Sequence, residues 1–276
     1  MIETYSHKLL SSVKEYIDYR LLKDLQAFSI KTGTLFRYTD NKFSNKTVYG
    51  SSYAQWSYHK EVSGVIVPSG FGSYTRTGDG LHIDFQNGRI LFDSGHTNLS
   101  ITGTWTVPNI NTYITTYPTS KLISQENFKV SPDFKNPSTY LPPYSNVLPG
   151  LFLRLAETNN EPWAFGGEQM TEYNIAITAL VNNSRYLVGL FDIIRDLEER
   201  NIPILSTTPK DIYGDLKDSD WNYNNFLTNN NDYALITDSY LKFIEIDNFS
   251  ERNPDVYMGF GMITIKTNRF PHQEFP

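Results

Sequence analysis

Residues 99–107 read L-S-I-T-G-T-W-T-V, so Leu99, Ile101, Gly103, Trp105 and Val107 alternate with Ser100, Thr102, Thr104 and Thr106. A period of two built from β-branched and aromatic side chains is the pattern of a strand with one buried face. Upstream, residues 81–94 run L-H-I-D-F-Q-N-G-R-I-L-F-D-S. A two-residue Asn87-Gly88 turn predicts Phe85 opposite Ile90 and Ile83 opposite Phe92, with both pairs on one face. Further strands are expected at Thr34–Tyr38, Val62–Val67 and Asn111–Thr116. Residues 34–117 therefore form a β-rich block, an antiparallel sandwich or open barrel.

The flanks change period. From about Ser6 to Ile30 the apolar positions Leu9, Val13, Tyr16, Ile17, Leu21, Leu25 and Phe28 mark one helical face, and Gly33 ends the segment. Residues 1–33 are thus expected to be an amphipathic helix. Residues 118–150 hold six of the 14 prolines and read as an extended arm or linker. Beyond the arm, Leu151–Ala156 and Tyr173–Val181 alternate as strands. Ser184 caps a helix faced by Leu187, Leu190, Phe191, Ile194 and Leu197, stopped at Pro203, and Tyr240–Ile246 and Val256–Thr267 close the chain as strands. Residues 151–276 then read β-β-α-β-β, one sheet that packs with the N-terminal helix. The fold class is α+β and β-rich: a sandwich or barrel block, a helix-flanked sheet, and a long Pro-rich arm.

Composition agrees. Aromatic residues make up 14% of the 276 residues, which suits pleated, half-buried surfaces. Cysteine is absent, excluding disulfides, Cys-ligated metal centres and a Cys nucleophile. A formal net charge of −6 offers nothing at whole-chain level to a nucleic-acid backbone or an anionic membrane. No apolar run approaches the ~20 residues of a membrane span. The N-terminus lacks the basic and apolar regions of a signal peptide, so a soluble chain made in the cytosol is expected.

Chemistry-bearing patterns are few. His82-x-Asp84 with Asp93 and His96 is the residue set of a facial iron or zinc site, and the predicted hairpin places His82 opposite Asp93. A cross-strand His–Asp pair on a solvent face accounts for the same residues. Neither the G-x-S-x-G elbow nor a phosphate-cradling glycine loop occurs. Paired carboxylates for glycoside hydrolysis carry no signature. Residues 160–167, N-E-P-W-A-F-G-G, put Trp163 and Phe165 in a turn, as a sugar platform, an interface anchor or side chains folded into the core. Residues 192–220 carry eight acids against four bases, a pattern common on solvated faces.

The order of elements, with Y-G-S-S-Y (49–53), F-Q-N-G-R-I-L-F-D-S-G (85–95) and N-E-P-W-A-F-G-G (160–167), resembles structural proteins of tailed-bacteriophage virions, of the neck and tail-completion type. The resemblance implies a structural component without enzymatic activity or cofactor, a homo-oligomeric ring at the head–tail junction, tail-terminator-like or a connector. It would be assembled in the host cytoplasm and located in the virion. Its partners would be copies of itself and neighbouring portal, connector, tail-tube or sheath proteins. Tyr140, Leu141 and Tyr144 of the arm, with Trp163 and Phe165, become interface candidates. Asp211, Asp215, Asp218 and Asp220 become candidates for a lumen through which DNA slides without specific recognition. A carbohydrate-binding β-sandwich is the alternative, and a glycosidase a further one.

Overall fold

The computed structural model describes residues 4–71, 80–93, 95–124, 129–130, 146–163, 168–217, 221–229, 232–244 and 256–269. Two curled half-barrel sheets dominate, with 44% strand against 21% helix, which makes the fold α+β and β-rich. The first sheet is antiparallel. Its strands are β1 (Phe28–Tyr38), β2 (Thr47–Gly50), β3 (Leu81–Asp84), β4 (Arg89–Phe92) and β5 (Ile101–Pro108), in the order β3-β4-β2-β1-β5. A turn after β5 leads directly into β6 (Asn111–Ile114), which joins the second sheet as the parallel neighbour of β9 (Gly150–Pro162). That sheet also contains β10 (Gln169–Val181), β11 (Asn201–Pro203), β12 (Tyr233–Ile244) and β13 (Tyr257–Arg269), in the order β11-β12-β13-β10-β9-β6. A small parallel pair, β7 (Lys129–Val130) and β8 (Val147–Leu148), stands apart.

Helices α1 (Tyr5–Asp24) and α3 (Ser184–Arg195) pack on the second sheet. Leu9, Val13 and Ile17 of α1 and Leu187, Leu190 and Ile194 of α3 share a core with Ile175, Ile177, Ile263 and Ile265 of the central strands. The first sheet has its own core, in which the Trp56 and Trp105 rings stack with centroids 5.0 Å apart beside Ile83, Phe85 and Ile90. The Trp105 face of the alternating stretch is indeed the buried one.

Several expectations are corrected. Helix α1 stops at Asp24, short of Gly33, and Phe28–Gly33 instead pair with Pro108–Gly103 of β5. The helix ends in a turn in which the Ala27 N–H reaches back to the Leu21 carbonyl, and Gln26 takes the left-handed conformation, φ 47°. Glycine is the usual residue at that position, so Gln26 left no stop signal in the sequence. Asn183, not Ser184, caps α3, its side chain accepting from the Arg185 N–H.

Residues 62–64 form a turn and 65–67 run irregularly beside β5, where the Thr106 N–H donates to the Ile66 carbonyl, so the expected strand does not form. The hairpin register also differs: Ile83 faces Ile90, Leu81 faces Phe92 and His82 faces Leu91, with a four-residue connection at Phe85–Gly88. The Asp84 carboxylate accepts the N–H groups of Gln86 and Asn87, while the Phe85 carbonyl is taken by Trp56, so Phe85 cannot pair with Ile90. A displacement of two positions keeps every side chain on its expected face.

The ends of the Pro-rich stretch are packed elements. Thr119–Ser124 form helix α2, and Leu122 and Leu148 are buried against Phe152, Leu180 and Met258. Residues 125–128 and 131–145, most of the expected arm, lie outside the described residues. A short helix α4 (Tyr223–Asn229) lies between β11 and β12, and Tyr223 stacks on Tyr19 with ring centroids 4.7 Å apart.

Candidate functional site

A strand at a sheet margin offers unpaired N–H and C=O groups to any chain that can lie beside it. The outer side of β9 is covered by β6 only along Gly150–Leu153, with one more bond from the Thr115 N–H to the Leu153 carbonyl. Beyond it, Ala156–Pro162 are exposed, and among the described residues no strand pairs with them on that side. The Trp163 N–H bonds to the Glu168 carbonyl at the hairpin end. Antiparallel alternation then turns Pro162, Asn160 and Thr158 outward and Glu161 and Asn159 inward toward β10. Pro162 removes one outward donor and Glu157 and Glu161 add charge, both of which discourage indiscriminate pairing.

Trp163 stands at the tip of this ribbon, 58% exposed, which removes the reading that folds it into the core. Phe165, Tyr140, Leu141 and Tyr144 lie outside the described residues. The opposite margin of the same sheet is β12. There β11 covers only Tyr233–Leu235, and past Ile236 no described strand covers the outer side of β12 up to Ile244. Phe243, 47% exposed, belongs to that uncovered length.

The residues proposed for a metal do not converge. Asp84 is buried, bonded to Arg89 Nε at 2.7 Å and to Asn87 Nδ2 at 2.8 Å. Arg89, fully buried, also binds Asp40 and donates to the Tyr38 hydroxyl at 2.9 Å, so a cation between two carboxylates fills this corner. His82 stacks on Tyr213 at 4.3 Å, and the His96 ring lies 5.0 Å from Phe92. Asp93 faces solvent and is held by Lys46, whose hydrogen bond keeps its carboxyl below the usual range. Among the described residues no three His, Cys, Asp or Glu side chains meet to hold an ion.

The acids assigned to a lumen are equally occupied where described. Asp215 is buried and accepts the Ile83 N–H at 3.1 Å, so it faces the protein interior rather than a channel. Asp211 closes its own turn by accepting the N–H groups of Tyr213 and Asp215. Asp218 and Asp220 lie outside the described residues.

A second constellation, not singled out by the sequence reading, lies between α1 and residues 55–59 of the connection from β2 to β3. Residues 55–59 are held as a rail. The Gln55 side chain bonds both ways to the Thr112 backbone, and the Ser57 N–H reaches the Thr106 carbonyl. Against this rail α1 presents Lys14, Glu15 and Asp18. Lys14 pairs with Asp18 one turn away, and the Tyr58 hydroxyl donates to Glu15. Lys210 brings its Nζ to 3.7 Å from Glu15 Oε1 and 4.5 Å from the centre of the Tyr58 ring.

Burial alone would push the Glu15 carboxyl up. The charges of Lys210, Lys14 and His59 and the Tyr58 hydrogen bond overcome it and hold the group down to about 2. For Lys210 burial prevails over the attraction of Glu15, and its ammonium is lowered. His59 is 2% exposed, and neither ring nitrogen has a hydrogen-bond partner among the described residues. Its Nδ1 lies 3.6 Å from a Glu61 carboxylate oxygen.

Among the described residues no helix is long and apolar enough to cross a membrane. No protein-family model matches the chain, and no match emerges among the curated proteins.

Proposed function

We propose that this chain is a structural subunit that works by joining copies of itself, as in the ring-forming neck proteins of tailed-phage virions that its sequence resembles. The observation that carries the reading is the uncovered outer edge of β9, with the exposed Trp163 at its tip. Every pairing from β12 through β13 and β10 to β9 is antiparallel, so β9 and β12 run in opposite directions. The β9 edge of one copy laid beside the β12 edge of the next therefore makes an antiparallel ladder. The two edges are different surfaces, so the contact is head-to-tail, and such contacts close into rings when the rotation per copy divides a full turn.

The β9 edge from Leu155 to Pro162 and the β12 edge from Thr237 to Ile244 lie toward opposite ends of the sheet. Neighbours are then staggered along the strand direction. Trp163 would anchor the contact as a large side chain brought out of water on association. Negative-stain electron microscopy of the purified full-length chain tests the reading: closed rings of uniform size support it, and a field of single subunits at high concentration opposes it. Trp163 also suits a sugar platform, and a glycan array showing Trp163-dependent binding by a monomer would favour that alternative.

A further inference from the structure

Edge joining alone leaves open whether β9 of one copy meets β12 of the next or another β9. Side chains along the two margins discriminate. In β12, Leu241 packs on the core under α3, so Tyr240 and Lys242 project from the opposite face of the sheet. In β9, the register shift between Leu155 and Glu157 turns Glu157, Asn159 and Glu161 to that same face, because their partners Asn174, Glu172 and Met170 alternate with core-facing Tyr173 and buried Thr171. Glu157, Glu161, Asp238 and Lys242 are all exposed, and none has a charged partner among the described residues.

An antiparallel ladder between these two edges keeps the α3-bearing faces of neighbouring copies on one side. Backbone direction restricts it further. Ile236 faces β11, exchanging bonds with Glu199 and Arg200, and the register shift before Asp238 leaves Ser239, Leu241 and Phe243 facing outward. Thr158, Asn160 and Pro162 face outward on β9, so the allowed registers differ by steps of two residues, and β11 blocks any slide past Ile236.

With Pro162 opposite Thr237, the longest overlap, Glu161 stands opposite Asp238, like charge against like. One step on, Glu161 stands opposite Tyr240 and diagonal to Lys242; a second step sets it opposite Lys242. Both of these registers also bring Trp163 opposite or diagonal to Tyr240, whose ring centre lies 5.2 Å from Lys242 Nζ. Two β9 edges laid antiparallel would instead crowd the acids of both copies on one face.

We propose that, in copies joined through these edges, Glu161 of one and Lys242 of the next form the ion pair that selects head-to-tail contact over β9–β9 pairing; the inference rests on the edge joining proposed above. A surface pair adds little affinity, but the like charges of the rejected contact make it a discriminator.

Sedimentation velocity of the full-length chain over a concentration series at low ionic strength provides the test. Glu161→Lys and Lys242→Glu should each weaken association by roughly fivefold, because attraction across a strand pair becomes repulsion. An equimolar mixture of the two variants should recover the association that each lacks, since each supplies the edge the other needs. A chain carrying both substitutions, its pair reversed, should do the same. Both side chains are exposed, so the variants keep the fold, which circular dichroism verifies. A Lys242→Glu protein that associates like the parent, or a mixture no stronger than its components, overturns the ion pair while leaving edge joining in place. A parent that stays a single chain at every concentration overturns edge joining, and the pair with it.

Discussion

Replacing Glu15 by Gln keeps the shape of the side chain and removes the charge on which the buried cluster is centred. Glu15 is 3% exposed and sits between Lys210, Lys14 and the Tyr58 hydroxyl. Its carboxyl is held at about 2 in the folded chain against an ordinary 4.5. That difference corresponds to about 3 kcal/mol of stability contributed by the ionised form. Because the folded value lies below the unfolded one, the contribution is complete above about pH 5 and is lost as pH falls through 4.5 toward 2. Glu15→Gln should therefore be less stable than the parent by about 3 kcal/mol at pH 7. The gap should narrow steadily between pH 4.5 and 2.5. Urea unfolding followed by circular dichroism at a series of pH values measures it, and subtracting variant from parent cancels the other carboxyl groups. A gap that stays constant over that interval, or no gap at pH 7, would refute the reasoning.

Two further outcomes follow from particular positions. Gly88 has φ 57°, and a Cβ there would lie 2.2 Å from the Tyr53 carbonyl oxygen, so Gly88→Ala should lower the unfolding free energy by more than ~1 kcal/mol in urea titration. Trp163→Ala removes a side chain that the folded subunit leaves exposed, so it should shift unfolding by no more than about 0.5 kcal/mol while weakening association in sedimentation velocity.

What the sequence disclosed depended on whether one physical signal acted alone. The Trp105 stretch, α3 and the apolar face of α1 each follow a single period, and the structure buries most of the side chains that the period selects, Leu25 being exposed. The end of α1 was hidden because the chain turns at Gln26 rather than at a glycine. The hairpin register was hidden because Asn87-Gly88 reads as a complete turn, whereas Asp84 recruits two backbone donors and lengthens the connection. The proline count suggested a detached arm, but Leu122 and Leu148 at its ends belong to the core, so deleting residues 120–148 would damage the fold itself.

The ionic cluster was the least legible feature. Lys14, Glu15 and Asp18 have the spacing of an ordinary solvated helical face, and their partners Tyr58 and Lys210 are distant in sequence. Only the packing of α1 against residues 55–59 and Lys210 brings them together. The one local hint was Y-A-Q-W-S-Y-H at 53–59, too rich in aromatics for a surface loop. The uncovered margin of β9 was missed for the opposite reason. Its outer half, E-T-N-N-E-P at 157–162, is polar on both faces, and alternation cannot report a strand that has no buried face.

Thr158 gives direct access to the claim that copies join through that margin. Its N–H points outward and has no partner among the described residues, so Thr158→Pro deletes an intermolecular donor without touching the ladder to β10. Light scattering coupled to size exclusion, run side by side on the parent and this variant, measures the effect. A parent mass of several chains and a folded variant with the mass of one chain are predicted. A parent of one chain, or the same multiple in both proteins, would contradict assembly through the β9 edge.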